Sequence, residues 1–428
     1  MPFRPTTLAV SLAVSLMSTS ALAGVTAIKA GHLLDVEHGS VIDDAVVLID
    51  GDTISAVGHG LAIPADARVI DLSGATVLPG LIDVHEHLTS DPDDGAYPSL
   101  GISIPRTAIT GAKNARITLN AGFTTIRNVG ADGYADLALR DGINEGDVPG
   151  PRMQASGPLL GITGGHCDNN LLAPEYKARG DGVADGPWAA RTKVREVIKY
   201  GADLIKICAS GGVLSKGDTP GAAQYSLEEI RAITEEAHRH GRKVAAHAHG
   251  TLSIKEAIEG GVDSVEHASF IDADGIALAK KHGTYLVMDI YNDDYILSEG
   301  LKAGMLPESI EKEKKVGRTQ RENFQKAVKA GVKMAFGTDG GVYPHGDNAR
   351  QFYYMVKYGM TPMQAIQAAT INAATLMGWD DKVGSLAQGK YADLVAVAGD
   401  PLNDVKALEN VGFVMKGGEV VKTSWPTE

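Results

Sequence analysis

The sequence predicts an α/β fold: a (β/α)8 TIM-type barrel over residues 81–377, with a small β-sandwich domain built from both termini, residues 24–80 and 378–428. Three observations predict it. Short apolar runs alternate with helix-patterned stretches through the middle of the chain, as parallel strands with crossover helices do. Strand patterns punctuated by turns occupy both ends instead. The length, 428 residues, exceeds what one core fills, since single cores stop growing at roughly 250–300 residues. An open doubly wound sheet is the alternative for the middle. No G-x-G-x-x-G or P-loop follows its early strands, so a nucleotide-binding version has no support.

Residues 1–23 place Arg4 before an apolar stretch from Leu8 to Met17 and end on Ala21-Leu22-Ala23. That is the layout of a secretory signal peptide, and its apolar run is well short of the ~20 residues a bilayer span needs. An exported, periplasmic or secreted protein is expected. From 24 to 80, strand patterns cover 25–34, 45–49, 53–57 and 68–72, with Asp50-Gly51 as a hairpin signal. The eight strand candidates of the middle are 81–84, 123–129, 152–156, 204–208, 243–246, 264–266, 284–290 and 333–336. The clearest helix between them opens on Ser226, with Glu229 completing a capping box, and stops at Gly241. Other helical patterns span 114–120, 187–200, 252–259, 276–282, 310–330 and 361–377. Strand texture returns at 392–398, 411–415 and 419–422.

An apolar content of 44% with 22% charged residues excludes a disordered chain. The formal net charge of −13, which becomes −14 once the leader with Arg4 is removed, argues against a nucleic-acid partner. Cys167 and Cys208 are too few for a disulfide scaffold. They read as buried thiols, with one bridge as the alternative. Glycine is abundant at 51 residues, and Gly130, Gly157, Gly211, Gly212, Gly250, Gly340 and Gly341 all follow strand candidates, where close backbone approach is useful.

Metal-capable side chains collect at the ends of those strands. His85 and His87, two apart in Val84-His85-Glu86-His87, point to one strand face. Lys206 interrupts an apolar strand, where burial disfavours its charged form. It reads as a metal-bridging carbamate or a Schiff-base lysine. His247, His267 and Asp339 end three further strands, on the side where barrel active sites lie.

At this point the chain resembles the amidohydrolase superfamily. PGLIDVHEHL, LIKICASGG, AAHAHG, SVEHASF and FGTDGG carry the likeness in order, and GATVLPG and VGSLAQGKYADLVAV extend it to both ends. GTDGGVYPHGDNARQF and GMTPMQAIQAATINAATLMG resemble, more narrowly, the imidazolonepropionase-related group with its Xaa-Pro dipeptidases and ochratoxin A-cleaving amidases. The resemblance implies two divalent ions, zinc by the ligand chemistry. His85 and His87 would bind the more buried ion, His247 and His267 the more exposed one, with Lys206, carbamylated by CO2, between them. Asp339 would be both ligand and proton shuttle. His249, His166, Tyr225 and His345 would face the substrate, with His166 and Tyr225 assisting catalysis. Asp289 and Tyr291 are further candidates for the cavity wall. The implied reaction is hydrolysis of an amide next to a C-terminal amino acid, on a small-molecule substrate, by a homo-oligomer. The alternatives are a cyclic-amide hydrolase or deaminase on the same barrel, and a non-catalytic periplasmic metal-binding protein. Deaminases resemble one another in a His-x-x-Glu on the fifth strand, and here Gly250 stands third after His247.

Overall fold

A computed structural model describes residues 24–425; the leader expected over 1–23 lies outside the described residues. The chain opens with β1 (Thr26–Asp35), β2 (Ser40–Asp50), β3 (Thr53–His59) and β4 (Arg68–Pro79). The middle supplies β5 (Leu81–Glu86), β6 (Phe123–Asn128), β7 (Arg152–Ala155), β8 (Leu204–Cys208), β9 (Lys243–Ala248), β10 (Ser264–His267) and β11 (Tyr285–Val287). The end adds β12 (Leu394–Val397), β13 (Val411–Lys416) and β14 (Glu419–Thr423).

Both termini meet in one sheet, in the order β14-β13-β12-β4-β1-β2-β3. The sequence leads to one small β-sandwich domain built from both termini, and strands from both ends do share one hydrogen-bonded order. A single hydrogen-bonded order results because β4 pairs parallel with β1 on one side and antiparallel with β12 on the other, stitching the two ends together. An apolar cluster including Ile28, Val47, Ile70, Leu394 and Phe413 belongs to this sheet alone.

In the middle, β5-β6-β7 and β8-β9-β10-β11 are two parallel sheets. Single parallel pairings lie at their ends: Leu160 with Ile207, Leu286 with Met334, and Glu86 with Gly340. The eighth strand expected over 333–336 forms no regular ladder among the described residues. Val84 N–H does reach Phe336 O at 2.9 Å. However, Phe336 N–H donates to Ala368 O and Ile82 N–H to Ala369 O, so the turn at 368–369 takes donors that a closing ladder would have used. Glycine and strain add to this, since Gly337 packs where a Cβ would meet Val287 and His85, and Asp339 is left-handed at φ 58°.

Helices cover these sheets. The helix over Leu227–Arg239 keeps the anticipated capping box, Ser226 Oγ accepting from Glu229 N and the Glu229 carboxylate from Ser226 N. The pattern over 361–377 resolves into two short helices, Pro362–Ala368 and Ile371–Met377. One long helix, Pro307–Ala330, lays Glu313, Val316 and Gln320 against the cavity described below.

The two cysteines are paired, Cys167 with Cys208 at a Cα separation of 6.0 Å. The free-thiol reading is thereby corrected. The end of β8 brings Cys208 to the loop that carries His166, so proximity rather than sequence spacing joins them. The bridge closes a span of 41 residues. Cys167→Ser is expected to cost about 2–4 kcal/mol of unfolding free energy, measured by urea denaturation against the unreduced parent.

Candidate metal centre

The six side chains singled out on the strands converge. Asp339 Oδ1 lies 3.3 Å from His85 Nε2 and 3.3 Å from His87 Nε2. Lys206 Nζ stands 3.5 Å from His85 Nε2 and is 2% exposed. The rings of His247 and His267 are 4.6 Å apart, and those of His85 and His267 5.1 Å. Candidate ligand atoms of His85, His87 and Asp339 fall within 4.8 Å of one another, as do those of His247, His249 and His267, and of His267, Asp289 and Asp339.

Most of these imidazoles are aimed by a bond at Nδ1. His87 Nδ1 contacts Gly130 O at 3.2 Å, His249 Nδ1 contacts Ser269 Oγ at 2.7 Å, and His267 Nδ1 contacts Asp289 Oδ1 at 2.8 Å. His85 Nδ1 faces Glu266 Oε2 at 3.0 Å. Fixing Nδ1 in this way leaves Nε2 to face the cavity, the arrangement that prepares a histidine for a metal. Two neighbours fix Asp289 in turn: Gln320 Nε2 donates to Oδ1 at 2.9 Å and Asn292 Nδ2 to Oδ2 at 2.7 Å.

The chemistry of the donor set suits a divalent cation. His247 Nε2 is buried without a hydrogen-bond partner, a state that costs about 1–3 kcal/mol unless something else satisfies it. Burial, reinforced by His166 and His267, holds His247 well below the usual histidine range, so the neutral, ligating form prevails. Burial also drives Lys206 down to about 8. Burial alone would raise Asp339, but His85 and His87 hold its carboxyl well below the usual carboxylate range. Three non-glycine residues here are left-handed, His267 (φ 68°), Ala268 (φ 49°) and Asp339 (φ 58°). Strain of this kind is tolerated where a site demands a particular side-chain direction.

Behind the cluster lies an ion pair that sequence reasoning missed. Arg127, 1% exposed, bonds Glu266 Oε1 at 2.9 Å through Nη2, Val84 O at 2.6 Å through Nε and Ser264 Oγ at 3.2 Å through Nη1. Burial would raise the Glu266 carboxyl, yet Arg127 and His85 hold it far below its ordinary value. Arg127→Met strands that carboxylate under His85. The expected loss is about 3–5 kcal/mol of stability, read as a lowered Tm, and Glu266→Gln in the same chain recovers part of it. The signals were an arginine inside the apolar run FTTIRNV and a glutamate beside His267.

Two expected substrate contacts are corrected. Tyr225 does not reach the cavity: it is 1% exposed, and its hydroxyl is directed to Gly161 O at 2.9 Å and Ala184 O at 3.1 Å, where it braces the loop after β7. His345 lies below the site, with Nδ1 3.2 Å from Glu86 Oε2 and Nε2 2.9 Å from Ser90 O. It supports the turn around Asp339 together with Asn348, which bonds Asp83, and Asp83 in turn accepts from Thr338. Both residues satisfy buried polar partners instead of opening on ligand space. His166, His249 and Asp289 do line the cavity, and Tyr291 does not. The cavity has a volume of about 260 Å³, with Leu159, Val213, Leu214, Ile296, Val316 and Val342 as its apolar wall.

The model of the amidohydrolase family matches residues 76–421. The chain belongs to this family. As an amidohydrolase it is an enzyme, a hydrolase of carbon–nitrogen bonds of the amide type, and the non-catalytic alternative falls. It is 35% identical to ochratoxinase of Aspergillus niger, over 94% of this chain and 87% of that one. It is similar to the crystal structure of a Xaa-Pro dipeptidase with methionine bound in the active site, with a TM-score of 0.88 and 40% identity across 93% of this amidohydrolase and 99% of that chain. A prolidase complexed with N-methylphosphonate-L-proline gives a TM-score of 0.85 at 33% identity, covering 94% and 100% of the two chains.

Proposed function

We propose that this amidohydrolase is an exported, binuclear metal-dependent dipeptidase of carboxypeptidase-like action, cleaving the amide next to a C-terminal amino acid. N-acyl aromatic amino acids such as ochratoxin A are a second substrate form. The observation that carries the reading is the buried Lys206 set among His85, His87, His247, His267 and Asp339 on one small cavity. The accompanying fold proposal is a (β/α)8 barrel over 81–377 carried by a β domain of 24–80 and 378–428, supported by the parallel order of β5–β11. Homo-oligomerisation remains part of the proposal.

His85 and His87 would hold one ion and His247 and His267 the other. The bare, buried His247 Nε2 favours His247 as a ligand, with the His249 ring beside it at 4.7 Å. Lys206 suits a bridging role because its amine is readily neutral: nitrogen adds CO2, loses a proton and becomes a carbamate with two donor oxygens. When bound, zinc-like ions supply hydroxide near neutral pH by lowering the pKa of water toward about 7, and they polarise the scissile carbonyl. Asp339, held as a carboxylate by two imidazoles, takes the proton of the attacking water and returns it to the leaving nitrogen. His249 and the apolar wall orient the substrate and exclude water.

Dipeptides of the Xaa-Pro, Xaa-Phe and Xaa-Arg types, assayed beside ochratoxin A for release of the C-terminal amino acid, test the reading. Release from at least one class is expected. Ammonia release from aminated heterocycles, with no amide cleaved, would replace it with a deaminase.

A further inference from the structure

We propose that Asn292 is a positioning residue for the proton shuttle: its side-chain amide fixes the Asp339 carboxylate so that the proton taken from water is returned to the leaving nitrogen. This rests on the amide-hydrolase reading above and adds to it a residue that no sequence motif marks.

Asn292 opens the helix Asn292–Glu299, shortly after β11. It is 4% exposed and lines the cavity. Its Nδ2 donates to Asp289 Oδ2 at 2.7 Å and to Asp339 Oδ2 at 3.3 Å. A primary amide nitrogen carries two protons, one for each carboxylate. The chemistry of these partners fixes which way the amide faces. Turned over, its carbonyl would meet two carboxylate oxygens with no proton between them. Oδ1, on the other side, is buried without a hydrogen-bond partner. All of the side chain's hydrogen bonding is thus spent on the two carboxylates.

The two oxygens of Asp339 have different surroundings. Oδ1 stands 3.3 Å from both His85 Nε2 and His87 Nε2, whereas Oδ2 receives the Asn292 amide. Candidate ligand atoms of Asp289 and Asp339 lie within 4.8 Å of each other, and like charges so close repel. Rotation about the Asp339 Cβ–Cγ bond, a soft torsion, would relieve that repulsion and carry Oδ1 off the imidazoles. The amide between the two carboxylates prevents it.

Its own footing is firm. Asp289 is held by His267 Nδ1 at 2.8 Å and by Gln320 Nε2 at 2.9 Å, both on Oδ1. The Asn292 N–H reaches Asp289 O at 3.3 Å, and the Tyr291 N–H reaches Gln351 Oε1 at 3.3 Å. On the Asp339 side, the backbone N–H bonds His85 O at 2.8 Å. His85 therefore anchors the main chain of the shuttle and Asn292 anchors its outer oxygen.

The balance of the step shows where this matters. An O–H bond of the attacking water breaks and its proton passes to Asp339. The C–N bond then breaks, its electron pair goes to nitrogen, and that nitrogen takes the proton back from Asp339. An amine leaves only with such a proton, whereas the alkoxide of an ester leaves with far less help. A displaced shuttle slows amides more than esters.

The test compares the wild-type enzyme with Asn292→Ala on a cleaved dipeptide and on its depsipeptide ester, in which oxygen replaces the scissile nitrogen, with metal content measured in each preparation. Asn292→Ala is expected to lower kcat on the dipeptide by about ten-fold or more with little change in KM. It is expected to lower kcat on the ester much less and to keep the metal content of the wild type. In an Asp339→Asn background the same substitution should cost little further, because the carboxylate it positions is already gone. Should Asn292→Ala not fold, Asn292→Ser, whose single hydroxyl proton serves only one carboxylate, gives the same comparison. Equal loss on amide and ester, metal lost in step with the rate, or full additivity with Asp339→Asn would each overturn the positioning role while leaving amide hydrolysis intact. A wild-type enzyme that cleaves no dipeptide would overturn the parent reading and the role with it.

Discussion

Lys206→Ala is expected to abolish turnover, by about 10³-fold or more, and to lower the metal content below that of the wild-type enzyme. The reason is positional. The amine lies 3.5 Å from His85 Nε2 within a fully buried strand, and burial has already brought it down to about 8. Removing it takes away the amine that, as a carbamate, would add an anionic bridge beside Asp339. In the proposed reaction, the supply of hydroxide at neutral pH would depend on ions held there. Lys206→Arg should fail equally, because a guanidinium stays charged and forms no carbamate. Plasma emission metal analysis beside a dipeptide assay checks both. Full turnover with undiminished metal in Lys206→Ala would remove the bridging role.

Asp339→Asn has the second large effect, a fall in kcat of about 10²–10⁴-fold with a smaller change in KM. The carboxylate oxygen stands at 3.3 Å from both His85 and His87, and a left-handed backbone holds it there. Asparagine fills the same space and keeps a neutral oxygen donor, but it can neither take nor return a proton. Steady-state rates on one cleaved dipeptide, with metal content measured in parallel, separate loss of the shuttle from loss of the ion. A variant that keeps its metal and its kcat would show that another group moves the proton.

The candidate site was largely legible because strand alternation fixes which face a side chain takes, so histidines at successive strand ends had to converge. The capping box at Ser226 was equally plain, since its partners are three residues apart. Contacts made at a distance in sequence were not. Tyr225 stood beside the right loop, yet its hydroxyl turns to Gly161 and Ala184. His345 follows Asp339 closely but turns down to Glu86. Arg127 and Glu266 are 139 residues apart, and nothing local pairs them. The weak closure at 333–336 arises from Ala368 and Ala369 capturing backbone donors, a competition that apolar patterning does not record.

Treating the purified enzyme with a chelator, then restoring zinc, while following amino-acid release from a cleaved dipeptide, tests whether hydrolysis depends on metal held at Lys206. Release is expected to stop on chelation and to return with added ion in the wild-type enzyme, but not in Lys206→Ala. Release that persists after the metal has been removed would contradict that dependence.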